Sequence, residues 1–251
     1  MQSKKKFIDS NGAQICMEII VPDSFDDEID KMVVIVTGDG RKGRMSDTWR
    51  PVIPELIKNN ISVTAFDFFG LGESSGEYEA LSLSVGIQNM CSVLQEIIDS
   101  SLQINKLGVI ASSFGGNVAL VVSCLYHRFD FMVLKSPSSA LYEAYENEQG
   151  RYENMLRWKE TGISPVTGQK YSVYLDALSY NVYGMLGQLN CKTWIMHGDK
   201  DNIVPVQQSL RLAGLNKNIH LEIIKGVGHN YKENSELSMF IELAIQFIKC
   251  Q

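Results

Sequence analysis

The sequence lacks the features that mark membrane-spanning, disulfide-bonded and nucleic-acid-binding proteins. No apolar run approaches the roughly 20 residues that cross a bilayer, and polar residues interrupt the apolar stretch after the lysines at 4–6, where a secretion signal would continue. The five cysteines include no CxxC pair, which predicts free thiols rather than disulfides or zinc. A formal net charge of −6 disfavours nucleic acid and anionic membranes as partners. We therefore expect a cytoplasmic protein.

The residues that are present predict a single α/β domain over residues 1–251. Strand-length apolar runs, rich in valine and isoleucine, alternate with longer helical patterns, as in parallel sheets that are covered on both faces. Asn11-Gly12 separates the first two runs and indicates a hairpin, so the mostly parallel sheet should begin with an antiparallel pair. The predicted strands are 4–9, 14–20, 31–37, 61–66, 106–111, 129–134, 192–196 and 219–224.

One stretch interrupts this alternation. Between the predicted strands that end at Leu134 and begin at Lys192, about fifty residues have no convincing strand pattern, which is long for a plain connection. The stretch is rich in tyrosine and has helical spacing around 142–160 and 172–187. We interpret residues 137–188 as a small helical cap inserted into the domain.

The strongest chemical signal is a serine at a tight turn between a strand and a helix. In a nucleophile elbow the serine adopts a strained conformation that exposes its hydroxyl, and only small residues fit two positions before and after it. With Ser113 at the tip these flanking residues are Ala111 and Gly115, whereas Ser112 would be flanked by the bulkier Ile110 and Phe114. The pattern therefore predicts Ser113 as the nucleophile.

A serine hydroxyl needs a positioned base to accept its proton. Of the four histidines, His229 lies in a glycine-rich turn between the last strand and the last helix, at the same sheet edge as the elbow. His127 follows a helix, His220 lies within a strand pattern, and His197 ends a strand, where local packing is the simpler interpretation. We predict His229 as the general base.

The third residue should be a carboxylate that follows a strand between the serine and the histidine. Asp199 and Asp201 both meet this condition. Asp199 lies in the first turn after the strand, where its side chain would more readily bond to backbone. We therefore predict Asp201 as the carboxylate that orients the histidine.

Four segments carry a resemblance to the α/β-hydrolase superfamily: 37–40 (TGDG), 67–74 (DFFGLGES), 111–116 (ASSFGG), and 197–201 (HGDKD) with the downstream Gly228-His229. The resemblance covers nearly the whole chain, and its HGxxD segment again selects Asp201. The cap position is similar to that of small esterases acting on cinnamoyl and other acyl esters, and of monoacylglycerol-lipase-like hydrolases. The resemblance to the superfamily also implies an oxyanion hole formed by the backbone amides of Asp39 and Phe114.

Two departures from the superfamily pattern matter. Ala111 replaces the first glycine of GxSxG and is small enough for the turn. Asp39 follows Thr37-Gly38 where the pattern has His-Gly-x, and its carboxylate would repel an oxyanion unless it turned away or paired with Arg41, Lys42 or Arg44. Asp39 therefore indicates an unusual substrate, a basic partner or reduced hydrolysis.

These residues predict a serine hydrolase that cleaves a small-molecule acyl ester through an acyl-serine intermediate. A thioesterase or acyltransferase using the same residues is the first alternative, and a binding protein on a hydrolase scaffold is the second. The sequence has no P-loop, no GxGxxG after the first strand and no metal-spaced cluster, so we expect neither a cofactor nor a metal. It does not indicate an oligomeric state.

Overall fold

The computed structural model describes residues 1–23 and 28–251. Its eight strands form one sheet in the order β1-β2-β4-β3-β5-β6-β7-β8, which confirms the predicted α/β architecture. The strands are β1 (Gln2–Ser10), β2 (Ala13–Val21), β3 (Glu28–Val36), β4 (Ser62–Phe66), β5 (Gln103–Ser112), β6 (Phe131–Pro137), β7 (Lys192–Gly198) and β8 (Ile219–Ile224).

The sheet begins with the antiparallel pair that Asn11-Gly12 predicts. Both residues have positive φ, 55° and 85°, as the tight turn between Ser10 and Ala13 requires. β2 is also antiparallel to β4, and every later pairing from β3 to β8 is parallel. The carboxyl ends of the parallel strands therefore meet at one edge, where ligands of such sheets bind.

Helices cover both faces of the sheet. The side chains of β3 alternate between two apolar cores: Met32 and Val34 face one, and Val33 and Ile35 face the other. All four side chains are fully buried, so both faces of the sheet must be covered. Outside residues 137–188 the helices are α1 (Trp49–Lys58), α2 (Leu83–Ile98), α3 (Ser113–Tyr126), α8 (Val206–Leu215) and α9 (Asn234–Lys249). The first core also contains residues of α2, α3 and α8, and the second contains residues of α1 and α9.

Between β6 and β7 the chain forms helices where the spacing predicts them. They are α4 (Leu141–Gln149), α5 (Tyr152–Thr161), α6 (Tyr171–Leu178) and α7 (Val182–Met185). Trp158 is fully buried at their centre, and its indole N–H donates to the carbonyl of Gln169 at 2.8 Å. Its ring lies against three tyrosines, Tyr145, Tyr171 and Tyr174. We call residues 137–188 the cap segment; that it is an inserted cap stays a prediction.

All five cysteines are free thiols, as the sequence predicts. In the described part of the chain, no helix is both long enough and apolar enough to cross a membrane.

Candidate active site

Ser113 lies where β5 passes directly into α3. Its φ of +51° is in the left-handed region, and non-glycine residues are held there only by surrounding structure. A Cβ at Gly115 would lie 2.1 Å from the Thr37 carbonyl oxygen, so a larger residue at that position would push α3 away from the end of β3. Ala111, on the other side, is fully buried. The flanking positions are small because the neighbouring strand leaves no space for larger side chains.

His229 lies between Ser113 and Asp201. Its Nε2 is 3.0 Å from the Ser113 Oγ, and its Nδ1 is 2.7 Å from the Asp201 Oδ2. A carboxylate oxygen only accepts hydrogen bonds, so this contact places the proton of a neutral imidazole on Nδ1. Nε2 then presents its lone pair to the serine hydroxyl, which is the arrangement that proton transfer from the serine requires.

The carboxylate of Asp201 is fully shielded from solvent and accepts hydrogen bonds on both oxygens. Oδ1 accepts from the amides of Ile203 and Val204 at 3.0 and 2.8 Å, while Oδ2 accepts from His229 and His197 at 2.7 and 3.1 Å. Burial alone would raise the pKa of Asp201. The hydrogen bonds from His197 and His229 outweigh it and hold the pKa well below its usual range. Asp201 is therefore an anion at neutral pH.

Asp199, the other aspartate considered, lies outside this arrangement. Its Oδ1 accepts a hydrogen bond from the amide of Gly226 at 2.6 Å. This contact joins the turn after β7 to the loop that carries His229, so Asp199 bonds to backbone, as its position after the strand predicts.

His197 has a closer connection to the site than its sequence position predicts. The side chain is fully buried, its Nδ1 lies 2.7 Å from the Ser209 Oγ, and its Nε2 faces two acceptors, Asp201 and the carbonyl of Val204 at 3.0 Å. Nε2 must therefore carry a proton. His197 does pack locally, but it is also the second histidine that donates to Asp201. The sequence feature that could have indicated this role is the separation of His197 and Asp201 by four positions across a turn.

The two remaining histidines lie away from this group. His127 follows α3 in a left-handed conformation and is exposed, and His220 is exposed on β8.

The loop after β3 lies close to Ser113. A Cβ at Gly38 would lie 3.4 Å from the Ser113 Cβ, and Asp39 follows directly. Phe114 is the second residue of α3, so its amide has no acceptor within its own helix. That the amides of Asp39 and Phe114 form the oxyanion hole, as the resemblance implies, stays a prediction.

The basic partner considered for Asp39 is not found among the described residues. The three candidate cations bind other carboxylates: Arg41 contacts Glu79 at 3.2 Å, Lys42 contacts Asp47 at 3.2 Å, and Arg44 contacts Asp67 and Glu73. Burial raises the pKa of Asp39, and its own backbone amide and the charge of His229 offset this only in part. The surroundings of Asp39 therefore favour its neutral form more than water does around an exposed aspartate.

A cleft of about 320 Å³ opens onto the nucleophile. It is lined by Ser113, His229, Asp39, Gly38, Lys135 and Glu148, among others. Glu148 belongs to α4, so the cap segment supplies part of the wall. Burial and the charge of Asp39 raise the pKa of Glu148 to about 7. The cleft therefore carries two carboxyl groups, those of Asp39 and Glu148, whose pKa values are raised above those of exposed carboxyl groups.

Family models match overlapping parts of the chain. The model described as the prolyl oligopeptidase family matches residues 81–250, and the model described as acyl transferase matches residues 8–134. The chain belongs to the prolyl oligopeptidase family of α/β hydrolases. This assignment agrees with the eight-stranded, mostly parallel sheet and with the elbow at Ser113.

The curated relatives include proteins named as hydrolases and as a thioesterase. The chain is 24% identical to the 2-hydroxy-6-oxo-2,4-heptadienoate hydrolase of Pseudomonas putida, over 87% of this chain and 89% of that protein. It is 25% identical to the mitochondrial palmitoyl-protein thioesterase ABHD10 of Pongo abelii, over 78% of this chain and 67% of that protein.

Solved structures share the fold. Est1E from Butyrivibrio proteoclasticus, determined with bound ferulic acid, superposes with a TM-score of 0.84 at 19% identity and covers 98% of both chains. The mouse α/β hydrolase domain-containing protein 10 has a TM-score of 0.80 at 15% identity, with 98% of both chains covered.

Proposed function

We propose that the protein is a serine esterase that hydrolyses a small acyl ester through an acyl-serine intermediate. The observation that carries this proposal is the continuous contact from Ser113 through His229 to Asp201, at 3.0 and 2.7 Å. The strained elbow and the cleft above it support the same chemistry, as does membership of a hydrolase family.

In the first half-reaction the Ser113 Oγ attacks the acyl carbon while His229 Nε2 accepts the hydroxyl proton. Asp201 stabilises the imidazolium, and the amides of Asp39 and Phe114 donate to the oxyanion. His229 then returns the proton to the departing alkoxide, which leaves the acyl group on Ser113. In the second half-reaction His229 accepts a proton from water as the water oxygen attacks the acyl carbon. The bond between that carbon and the Ser113 Oγ then breaks, His229 returns the proton to the Oγ, and the carboxylic acid is released with Ser113 and His229 regenerated.

Labelling with a fluorophosphonate tests this proposal directly, because the probe reacts covalently with activated serines. We expect Ser113 to be labelled in the native protein. Ser113→Ala should abolish labelling and reduce p-nitrophenyl ester hydrolysis by roughly 10⁴- to 10⁶-fold. Ser112→Ala is the matched control and should be labelled normally. Labelling at Ser112, or at no residue of the native protein, would refute the assignment.

A thioesterase or acyltransferase is the second candidate, since relatives named palmitoyl-protein thioesterase and the acyl transferase model both match. Both activities use the same acyl-serine and differ in the leaving group or the acceptor. The test presents one acyl group both as an oxygen ester and as a thioester, with and without added alcohols. Faster release from the thioester indicates a thioesterase, and formation of a new ester with the added alcohol indicates an acyltransferase. A purely binding function is disfavoured because it has no physical need for three residues aligned for proton transfer.

A further inference from the structure

Lys135 is a buried lysine that the mechanism above does not use. It lies near the carboxyl end of β6 and pairs in register with Ser112 on β5 and Met196 on β7. Only 4% of it is exposed, although it lines the cleft that contains the nucleophile. A buried ammonium is costly unless its N–H groups find partners. The contacts that Lys135 makes therefore indicate why a lysine occupies this position.

Both contacts go to the loop that carries the histidine. The ammonium donates to the backbone carbonyl of His229 at 3.0 Å, and it lies 4.4 Å from the ring centroid of Tyr231. Tyr231 is itself 3% exposed and has a φ of +49°, so its backbone is held in a conformation that a free loop would leave. Lys135 thus holds the loop on both sides of Asn230.

Asp199 holds the start of this loop at Gly226, but the sequence between that contact and the histidine is permissive. Gly226 has a φ of +83°, and Gly228 directly precedes the histidine. The His229 carbonyl adjoins the Cα that bears the imidazole, so a shift of that carbonyl would move Nε2 relative to Ser113. Burial lowers the pKa of Lys135 to about 8, an effect that the charge of Asp201 opposes. The charged form is thus retained at a free-energy cost.

We propose that Lys135 is a positioning residue for the general base: it ties the backbone of His229 to the end of β6, next to the strand that carries Ser113. The inference rests on the proposed function. The sheet then sets the spacing between nucleophile and base, because β5 and β6 are hydrogen-bonded neighbours. Catalytic rates are sensitive to such spacing, and a displacement of about 1 Å costs up to about 100-fold.

Lys135→Met tests the proposal, because methionine fills a similar volume without donating. We expect kcat to fall by about 10- to 100-fold with KM nearly unchanged, and fluorophosphonate labelling of Ser113 to slow by a similar factor. Lys106→Met is the matched control, since Lys106 is a half-exposed strand lysine that pairs with Asp130 at 3.1 Å. Its kcat should equal that of the native protein.

A second variant covers the case in which Lys135→Met does not fold. Lys135→Ala leaves space at the cleft wall, and added alkylammonium ions of two to four carbons should restore part of its kcat. An unchanged kcat in Lys135→Met, a change in KM alone, or failure of every amine to restore Lys135→Ala would overturn the inference. In each of these outcomes normal labelling of native Ser113 leaves the proposed function intact, whereas absent native labelling refutes that function.

Discussion

The site contains two carboxyl groups, that of Asp201 behind the histidine and that of Asp39 at the cleft, and their surroundings shift the two pKa values in opposite directions. Asp201 accepts four hydrogen bonds, from two histidines and two backbone amides, and its pKa is held well below the usual range. Asp39 accepts none from another residue in the described part of the chain, and burial raises its pKa. Burial favours the neutral acid in both cases, and the donors decide whether it prevails.

This difference matches the tasks proposed for the two sides. A fixed anion behind the base favours the imidazolium that forms when Ser113 loses its proton. A fixed anion beside the oxyanion would oppose the same step, so a carboxyl group with a raised pKa is the more tolerable neighbour there. The two aspartates thus differ in pKa because more neighbouring groups donate hydrogen bonds to Asp201 than to Asp39.

Asp201→Asn should have the largest effect, because it replaces the anion while keeping the shape. The amide leaves the histidine without its carboxylate and favours the wrong tautomer, so kcat should fall by about 10⁴-fold. Steady-state hydrolysis of a p-nitrophenyl ester measures this. Asp199→Asn is the matched control and should change kcat little, because the asparagine oxygen can still accept the hydrogen bond from the Gly226 amide. Equal losses in the two variants would contradict the assignment of Asp201.

Replacing His197 should remove one hydrogen bond to Asp201 while leaving the negative charge of that carboxylate in place. His197→Phe keeps a ring but removes the donor to Asp201 and leaves the hydroxyl of Ser209 without its partner. We expect about a tenfold lower kcat and a loss of about 1–3 kcal/mol in unfolding free energy. His197→Gln keeps an N–H near the position of Nε2 and should recover much of the kcat. Urea unfolding and steady-state kinetics measure both effects, and a glutamine variant as slow as the phenylalanine variant would argue against the donor role.

Asp39→Asn should have a smaller effect on kcat than the His197 variants, and of the opposite sign. At low pH Asp39 is protonated, so the variant and the native protein should be equally fast. As the pH rises through the raised pKa of Asp39, the native protein gains a repelling charge, and the variant should become faster by up to about tenfold. Rate profiles from pH 5 to 9 measure the ratio.

Glu148→Gln provides the comparison for this effect. The pKa of Glu148 is about 7, so any increase in the rate of this variant over the native protein should develop across neutral pH. The increase should be smaller than in Asp39→Asn, because Glu148 does not adjoin the proposed oxyanion hole. A ratio of variant to native rate that is independent of pH in both variants would show that neither charge reaches the reacting centre.

Much of the fold follows from local patterns. The alternation of apolar runs predicts the strands within a few residues, and Asn11-Gly12 predicts the opening hairpin because few other pairs adopt two positive φ angles easily. Ser113 is predictable for a similar reason, since the size of its neighbours reflects the space beside the elbow. The role of His197 is less accessible, because a histidine at the end of a strand has many possible neighbours.

The sequence by itself predicted the order of strands and helices, the elbow at Ser113 and the turns that carry Asp201 and His229, because each of these depends on residues close together in the chain. Only the tertiary structure decided that Asp39 lacks a basic partner and that Lys135 binds the histidine loop. Asp39 lies within five residues of three cations, yet all three bind other carboxylates. Lys135 and His229 are far apart in the chain and meet only at the sheet edge. Burial and hydrogen bonding between such distant residues depend on the packed fold, which no local pattern encodes.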